Sequence, residues 1–205
     1  MSAPSKLSAD ARRAATIEAV VELAASANPS EITTAAIASH MRLTQGALFR
    51  HFPTKEALWL AVMEWAADRM MGRVRKAAAR ETSPLAAMRA VFTEHLAFTV
   101  EHPGIPRLVF GELQRSGVSP AKAMARTLLQ RYGDFLRELV ERGKAAGEID
   151  AAVDSQAAAA LFSGALQGLV MQTLLTGDAA RIGARADGAF AIYERGLSAR
   201  PGSAS

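Results

Sequence analysis

The sequence contains no cysteine and few aromatic residues. The absence of cysteine excludes disulfides, thiolate metal sites and cysteine nucleophiles, and it suits a reducing cytosol. Aromatic residues make up 6% of the 205 residues and β-branched residues are sparse, whereas alanine, leucine and arginine dominate. This composition favours helix over strand, and an apolar fraction of 50% is ample for a core. We therefore expect an all-α protein.

Signatures of catalysis are also missing. The sequence has no G-x-S-x-G nucleophile elbow, no H-E-x-x-H zinc motif and no strand leading into a glycine-rich loop. His95 and His102 lie seven residues apart on one predicted helical face, each preceded by a glutamate. A metal site there is conceivable, but a pocket-lining residue and a helix-end cap explain the two histidines more simply. The sequence therefore predicts a protein that is not an enzyme and has no metal and no cofactor.

Acidic residues are absent from residues 32–55. This stretch carries three fixed positive charges, at Arg42, Arg50 and Lys55. The first 80 residues have 11 Lys and Arg against 7 Asp and Glu, and the remaining residues have 13 against 13, so the net charge of +4 lies in the N-terminal part. A polyanion-binding head on a neutral body is the simplest interpretation. Because chance also produces a difference this small, the charge only supports the motif described next.

Capping residues and proline breaks predict about nine helices and no strand. The predicted N-caps are Ser8, Thr33 or Thr34, Thr44, Thr54, Ser83, Ser119, Asp154 and Asp178. The predicted helices cover residues 8–27, 33–41, 45–51, 54–79, 83–101, 108–113, 119–147, 154–176 and 178 onward, with residues 102–106 as a break. The second and third form a helix-turn-helix whose basic, acid-free surface has the shape and charge to lie against a nucleic-acid backbone.

Residues 157–177 contain no charge and are long enough to cross a bilayer. We favour a soluble protein with no membrane span, because alanine contributes little apolar transfer energy and polar side chains such as Gln167 would be costly in hydrocarbon. A helix buried against its own domain and a second copy fits better, although an interior helix of a monomer remains the alternative. The predicted dimer interface comprises Ala160, Gly164, Gly168, Phe190 and Tyr193.

Residues 33–58 resemble the TetR family of one-component bacterial regulators. The resemblance rests on Thr33-Thr34, Ile37-Ala38, Gly46-Ala47-Leu48-Phe49, His51-Phe52 and Thr54-Lys55-Glu56-Ala57-Leu58 at the family's spacing, and it covers about 50 residues from Ser8 onward. It implies an all-helical homodimer in which each chain has an N-terminal helix-turn-helix DNA-binding domain of three helices. A C-terminal helical domain would bind a ligand and dimerise. The body of the sequence matches the family only as architecture.

This resemblance gives a predicted domain organisation. We expect a disordered arm at residues 1–7, the helix-turn-helix domain at 8–54, the effector-binding and dimerisation domain at 55–199, and a flexible tail at 200–205. The polar N-terminus lacks the apolar run of a secretory signal, which favours a cytoplasmic protein.

The resemblance also implies which residues contact double-stranded DNA. The predicted set is Thr33, Arg42, Thr44, Gln45, Gly46, Ala47, Leu48, Phe49, Arg50, His51 and Lys55. Gln45 begins the recognition helix, where an amide pairs with a base edge, and Gly46 allows close approach to the DNA backbone. Ala47 or Leu48 would meet a thymine methyl, although a core role for Leu48 remains the alternative. Lys55 would clamp a phosphate.

Three positions depart from the family's pattern. Phe49 stands where the family usually has tyrosine, so a hydroxyl contact to phosphate is missing. Arg42 occupies a turn position where glycine is usual, and a left-handed conformation there would cost about 1 kcal/mol. Asn28 stands where a glycine often ends the first helix, and asparagine tolerates the left-handed conformation better than most residues.

A pocket in the larger domain is a further implication of the resemblance. The candidate lining residues are Phe92, His95, Leu96, Leu108, Phe110, Leu113, Tyr132, Phe135, Phe162, Leu166, Gln167, Leu169, Val170 and Gln172. We expect a transcriptional repressor that a small apolar or amphipathic effector releases from a pseudo-palindromic operator. The alternative is a DNA-binding architectural or interaction protein whose helical body binds a protein partner and no small molecule.

Overall fold

The computed structural model of the chain describes residues 8–177 and 182–198. These residues form nine α-helices: α1 (Ala9–Ser26), α2 (Thr34–His40), α3 (Gln45–Phe49), α4 (Lys55–Ala78), α5 (Pro84–Glu101), α6 (Gly104–Gln114), α7 (Pro120–Ala145), α8 (Ser155–Thr176) and α9 (Ile182–Leu197). The all-α prediction is confirmed. Within the described ranges, strand-like pairing is limited to one isolated antiparallel bridge between Ile149 and Ser198. The predicted arm, the predicted cap at Asp178 and the predicted tail lie outside the described residues.

The predicted helix starts depend on local caps, and the structure contains them. The hydroxyl of Thr33 accepts a hydrogen bond from the Ala36 amide at 3.0 Å, and the Thr44 hydroxyl accepts one from the Ala47 amide at 3.2 Å. The same pattern, a side-chain oxygen accepting from an amide in the first turn, occurs at Ser8, Thr54, Ser83, Ser119 and Asp154. Each bond satisfies an amide that has no partner within its helix, which fixes the helix start.

Two local predictions were wrong. Helix α6 begins at Gly104 rather than near Leu108, because Pro106 lies in its first turn, where a missing N–H breaks no helical hydrogen bond. Asn28 is not left-handed: its φ is −67° and its side-chain oxygen accepts a hydrogen bond from the Ser30 amide, which starts a short 3-10 turn at Pro29–Glu31. Asparagine therefore acts at this position as a cap.

The described chain divides by packing into two units. The first comprises the described residues up to Ala67 together with His102–Arg126, and the second comprises Asp68–Glu101 and the described residues from Thr127 onward. The predicted boundary at residue 54 assigned α6 to the larger domain, whereas the structure packs α6 against α1 in the first unit. The functional assignment of the two predicted domains stays a prediction.

Each unit has its own core. In the first unit, Val20, Ile37, Leu48 and Phe52 are buried from four different segments. The second unit has an aromatic cluster, formed by Phe92 of α5, Phe162 of α8, and Phe190 and Tyr193 of α9. Its rings meet edge to face, with centroids 5.2 Å apart for Phe92 and Phe162 and 5.5 Å apart for Phe162 and Tyr193. This geometry is preferred by aromatic quadrupoles and joins three helices.

Candidate nucleic-acid interface

The turn between α2 and α3 is built around Arg42. This residue has a φ of 55°, the left-handed conformation expected from its position. Two main-chain hydrogen bonds close the turn, from the Arg42 amide to the Ser39 carbonyl at 3.0 Å and from the Leu43 amide to the Ala38 carbonyl at 2.8 Å. The Arg42 side chain is exposed. A non-glycine residue thus bears the strain of the turn while its cation faces solvent.

Helix α3 presents one face to solvent. Gln45, Gly46 and Arg50 are exposed, and 41% of the Phe49 side chain is exposed. A Cβ atom built on Gly46 would meet no protein atom within 4 Å, so the protein's own packing does not require glycine there. A short, exposed helix with this composition can enter a major groove, which admits an α-helix.

Leu48 does not belong to this exposed face. Its side chain is only 1% exposed and lies in the core of the first unit. The predicted thymine contact by Leu48 is therefore wrong, because the core of the first unit buries this side of α3. Ala47 is half-buried, and its thymine contact stays a prediction.

Thr34 is absent from the predicted set of DNA contacts. The Gln45 side-chain amide lies 3.4 Å from the Thr34 hydroxyl, a long hydrogen bond that links the start of α3 to the start of α2. The hydroxyl orients the amide that would read a base edge. The only sequence signal for this role was the pair of threonines at positions 33 and 34.

Arg13 is the second residue that the sequence analysis missed. Its guanidinium donates a hydrogen bond to the His51 carbonyl and lies 4.3 Å from the centroid of the Phe52 ring. Arg13 therefore ties α1 to the end of the recognition helix. No local pattern in the sequence could reveal this contact, because 38 residues separate the partners.

Lys55 begins α4, immediately after the recognition helix and its following turn. Its ammonium lies 5.0 Å from the centroid of the Trp59 ring, a cation–π contact. A cation at a helix N-terminus is unfavourable for the helix, since the macrodipole is positive at that end. The position therefore makes better physical sense for binding an external anion than for stabilising α4.

The surroundings of these residues are electropositive. Within residues 32–55, Arg42 and Arg50 are exposed and Lys55 is half-buried. His40 Nε2 lies 2.9 Å from a carboxylate oxygen of Glu22, which comes from α1.

In the part of the chain that the structure describes, no group of three or more His, Cys, Asp or Glu side chains is placed to hold a metal ion.

The predicted pocket residues do not all belong to one unit. Leu108, Phe110 and Leu113 lie on α6 in the first unit, and the other candidates belong to the second. Gln167 and Gln172 are exposed on α8, so the prediction that they line an interior pocket was wrong. Gln172 Oε1 instead accepts a hydrogen bond from the Arg185 guanidinium of α9 at 2.8 Å.

His95 and Tyr132 meet inside the second unit. His95 Nδ1 lies 3.0 Å from the Tyr132 hydroxyl, and the rings are edge to face with centroids 5.3 Å apart. Burial lowers the pKa of His95 to about 4 and raises the pKa of Tyr132. These two predicted pocket residues therefore satisfy each other's hydrogen-bonding groups.

The predicted dimer residues divide into two groups. Ala160, Gly164 and Gly168 are exposed on α8, as an interface would require. Phe190 and Tyr193 are buried in the aromatic cluster of their own unit, so the prediction that they lie at the interface was wrong. The spacing of these aromatic residues in the sequence does not reveal which side of α9 faces the core.

Helix α8 is long and apolar enough to cross a membrane by length and composition alone. About a third of its most apolar stretch is buried. Core helices of soluble proteins meet the same criterion, so this is weak evidence for a membrane span.

Two family profiles match the sequence. The profile for bacterial regulatory proteins of the tetR family matches residues 17–62, which contain α2, α3 and the start of α4, and a profile for the tetracyclin repressor-like C-terminal domain matches residues 116–187. The chain belongs to the TetR family. It is a TetR-family DNA-binding transcription regulator, and this family is one of regulators rather than enzymes.

The chain is also similar to individual proteins in sequence and in fold. The nucleoid occlusion factor SlmA from Vibrio cholerae serotype O1 is 27% identical over 158 residues, which cover 77% of this chain and 81% of that protein. Among solved structures, the fatty acid degradation regulator FadR from Bacillus halodurans has a TM-score of 0.82 at 18% identity, covering 96% of this chain and all of that one (100%). FadR from Bacillus subtilis, solved with stearoyl-CoA, has a TM-score of 0.78 at 16% identity, covering 89% and 97%. The structural likenesses show the shared fold.

Proposed function

We propose that this TetR-family regulator binds a pseudo-palindromic DNA operator as a homodimer and represses transcription until a small apolar or amphipathic effector releases it. The exposed face of α3 carries the proposal. Gln45, Gly46 and Arg50 lie outside the core in a stretch with no acidic residue. DNA is a partner that complements the shape and the charge of this face.

The contacts divide into two kinds. Gln45 at the start of α3 is the candidate for reading a base edge, and Thr34 orients its amide. Arg42, Arg50 and Lys55 are candidates for phosphate contacts, which supply affinity and register but no sequence information. Phe49 is exposed enough to pack against a sugar or a thymine methyl.

A dimer is supported by an exposed apolar stripe on α8. Leu161 is 62% exposed and Leu175 is 78% exposed, and Gly164 and Gly168 lie between them at helical spacing. Exposed apolar surface of this kind marks an interaction site, and the two glycines would let a second helix approach closely. A second copy is the natural occupant, because a two-fold DNA site requires two heads.

A second candidate function is a DNA-binding architectural or interaction protein. Two observations favour it. The SlmA relatives are named nucleoid occlusion factors. In addition, Phe92, Phe162 and Phe190 fill the space between their helices ring against ring, where an effector pocket was expected.

The test begins with the DNA site that the purified protein protects upstream of its own gene. A two-fold symmetric footprint whose affinity falls steeply with salt is expected, and an asymmetric or salt-insensitive footprint contradicts the proposal. The dialysable and the retained fractions of a cell extract are then added to the complex separately. Release of the DNA by the dialysable fraction supports the effector-controlled repressor, whereas retention of the DNA with that fraction, together with capture of a protein from the retained fraction, supports the second candidate.

A further inference from the structure

A cavity of about 330 Å³ lies within the first unit. Its walls come from the 3-10 turn, the first turns of α4, the second half of α6 and the start of α7. This volume is at the lower end of the range of about 300–1,000 Å³ that is usual for small-molecule sites. The space suits a ligand of about one ring with a substituent.

The walls of this cavity are largely apolar. Trp59, Leu108, Pro29 and Pro120 line it. Gly111 of α6 lies among them, and a Cβ atom there would come to 3.6 Å from Cβ of Pro29, an ordinary contact distance. A flat apolar group is therefore the part of a ligand that these walls accommodate.

The charged groups at the cavity favour an anion. Glu112 is 2% exposed and is satisfied within the protein, since it accepts a hydrogen bond from the Ser119 hydroxyl and lies 3.5 Å from the Arg115 guanidinium. Glu56 is exposed to solvent. Lys55 differs: its ammonium lies 5.0 Å from the centroid of the Trp59 ring, and the ion pairs between described residues do not include it. The cavity therefore offers one cation that lacks a counter-ion.

We propose that this cavity binds a small aromatic carboxylate, with its ring against Trp59 and Leu108 and its carboxylate paired with Lys55. The site lies in the first unit and is separate from the pocket predicted for the larger domain. It has a regulatory consequence that rests on the proposed function, in which Lys55 contacts a DNA phosphate. A ligand carboxylate and a phosphate need the same ammonium, so each would exclude the other.

The first experiment measures binding without DNA. The probe is para-fluorobenzoate, followed by fluorine NMR, with neutral para-fluorobenzamide and cationic para-fluorobenzylamine as matched compounds. Wild-type protein is expected to bind the carboxylate at least about tenfold more tightly than either matched compound, as a charge-assisted hydrogen bond predicts. Equal binding of the three compounds, or no binding of the carboxylate at millimolar concentration, overturns the proposal.

Two variants locate the probe. Gly111→Leu fills the cavity, and Lys55→Gln removes the cation but leaves the cavity open. Both are expected to weaken binding about tenfold or more. Gly72→Leu is the control, because Gly72 is exposed on α4 with no atom within 4 Å of its Cβ position. If Gly111→Leu does not fold, the Lys55→Gln variant alone tests the location of the probe. Unchanged binding of para-fluorobenzoate by Lys55→Gln overturns the proposed site.

The second experiment adds operator DNA. Saturating para-fluorobenzoate is expected to weaken DNA binding by wild type about fivefold for each head, the loss expected for one phosphate contact at physiological salt, and to leave Gly111→Leu unaffected. Unchanged DNA affinity with the probe bound overturns the competition. A protein that binds no DNA at all contradicts the proposed function, and the first experiment still decides the ligand site.

Discussion

Gly104 of α6 lies against the main chain of Val21 in α1. A Cβ atom built on Gly104 would come to 2.0 Å from the Val21 carbonyl oxygen and 3.0 Å from the Ala25 nitrogen. Backbone atoms within a helix cannot turn aside as a flexible side chain does. We therefore predict that Gly104→Ala forces α1 and α6 apart and lowers the free energy of unfolding by about 1–3 kcal/mol, measured by urea denaturation.

Gly111→Ala is the matched control on the same helix. Its Cβ would lie 3.6 Å from Pro29, so the added methyl fits and the higher helix propensity of alanine should add up to about 1 kcal/mol. If Gly104→Ala proves as stable as Gly111→Ala, the two helices do not approach as closely as described.

Lys55→Ala should weaken DNA binding without weakening the fold. The substitution removes a cation from the positive end of α4 and a contact with Trp59, two small effects of opposite sign on stability. We expect affinity to fall about fivefold for each head at physiological salt on every DNA sequence, and the salt slope to fall by about 1 for each head. Fluorescence anisotropy at several salt concentrations measures both.

Lys76→Ala removes the same charge from an exposed position in the last turn of α4. It should leave the salt slope unchanged. An equal loss of DNA affinity in Lys76→Ala would mean that net charge, rather than a contact by Lys55, governs the binding.

Arg42→Gly should separate stability from DNA binding. Glycine relieves the left-handed strain at φ 55°, which is worth about 1 kcal/mol, and the guanidinium is lost from the predicted phosphate contact. We predict a higher urea midpoint together with weaker DNA binding. Arg50→Ala, at a residue with right-handed φ of −67°, should weaken DNA binding without raising the midpoint. A lower midpoint for Arg42→Gly would show that its side chain stabilises the turn.

Local chemistry made the helix starts of this protein predictable from sequence. Thr33, Thr44 and Asp154 each accept a hydrogen bond from an amide two or three residues later, so the signal and the structure share a few neighbouring residues. Pro106 misled the prediction for α6, because a proline in a first turn and a proline in a break look alike in sequence.

The faces of the helices were harder to predict, because burial depends on partners far along the chain. Leu48 is held in the core, and Phe190 belongs to a ring cluster with Phe92, almost 100 residues earlier. Arg13 and His51 are also far apart along the chain, since 38 residues separate them, so no local pattern predicts their contact. The sequence shows that α8 is rich in apolar residues, but it does not show which of these residues the rest of the chain leaves exposed.

The protein should become less stable as the pH falls below 6.5, because His95 is buried in its neutral form. The unfolded chain titrates this histidine near its ordinary pKa of 6.5, whereas burial lowers the folded pKa to about 4. Between these two pH values the unfolded state binds more protons than the folded state. The contribution of His95 to the free energy of unfolding is therefore present above pH 6.5 and is lost as the pH falls towards 4. We expect the urea midpoint to drop between pH 7 and pH 5 by less in His95→Gln than in wild type. Equal drops would indicate that His95 takes up its proton without loss of packing.

The apolar stripe on α8 gives the last prediction, which concerns the oligomeric state. Leu161 is 62% exposed, and on the proposed dimer a second copy covers it. Leu161→Glu would bury an unpaired carboxylate there, so we predict that it converts the dimer to monomer in sedimentation equilibrium. Leu129→Glu is the control, because Leu129 is also exposed but lies on α7. Because Leu161 contacts little within its own chain, the monomer should keep its helical circular dichroism. A Leu161→Glu protein that remains dimeric would place the interface elsewhere on the chain.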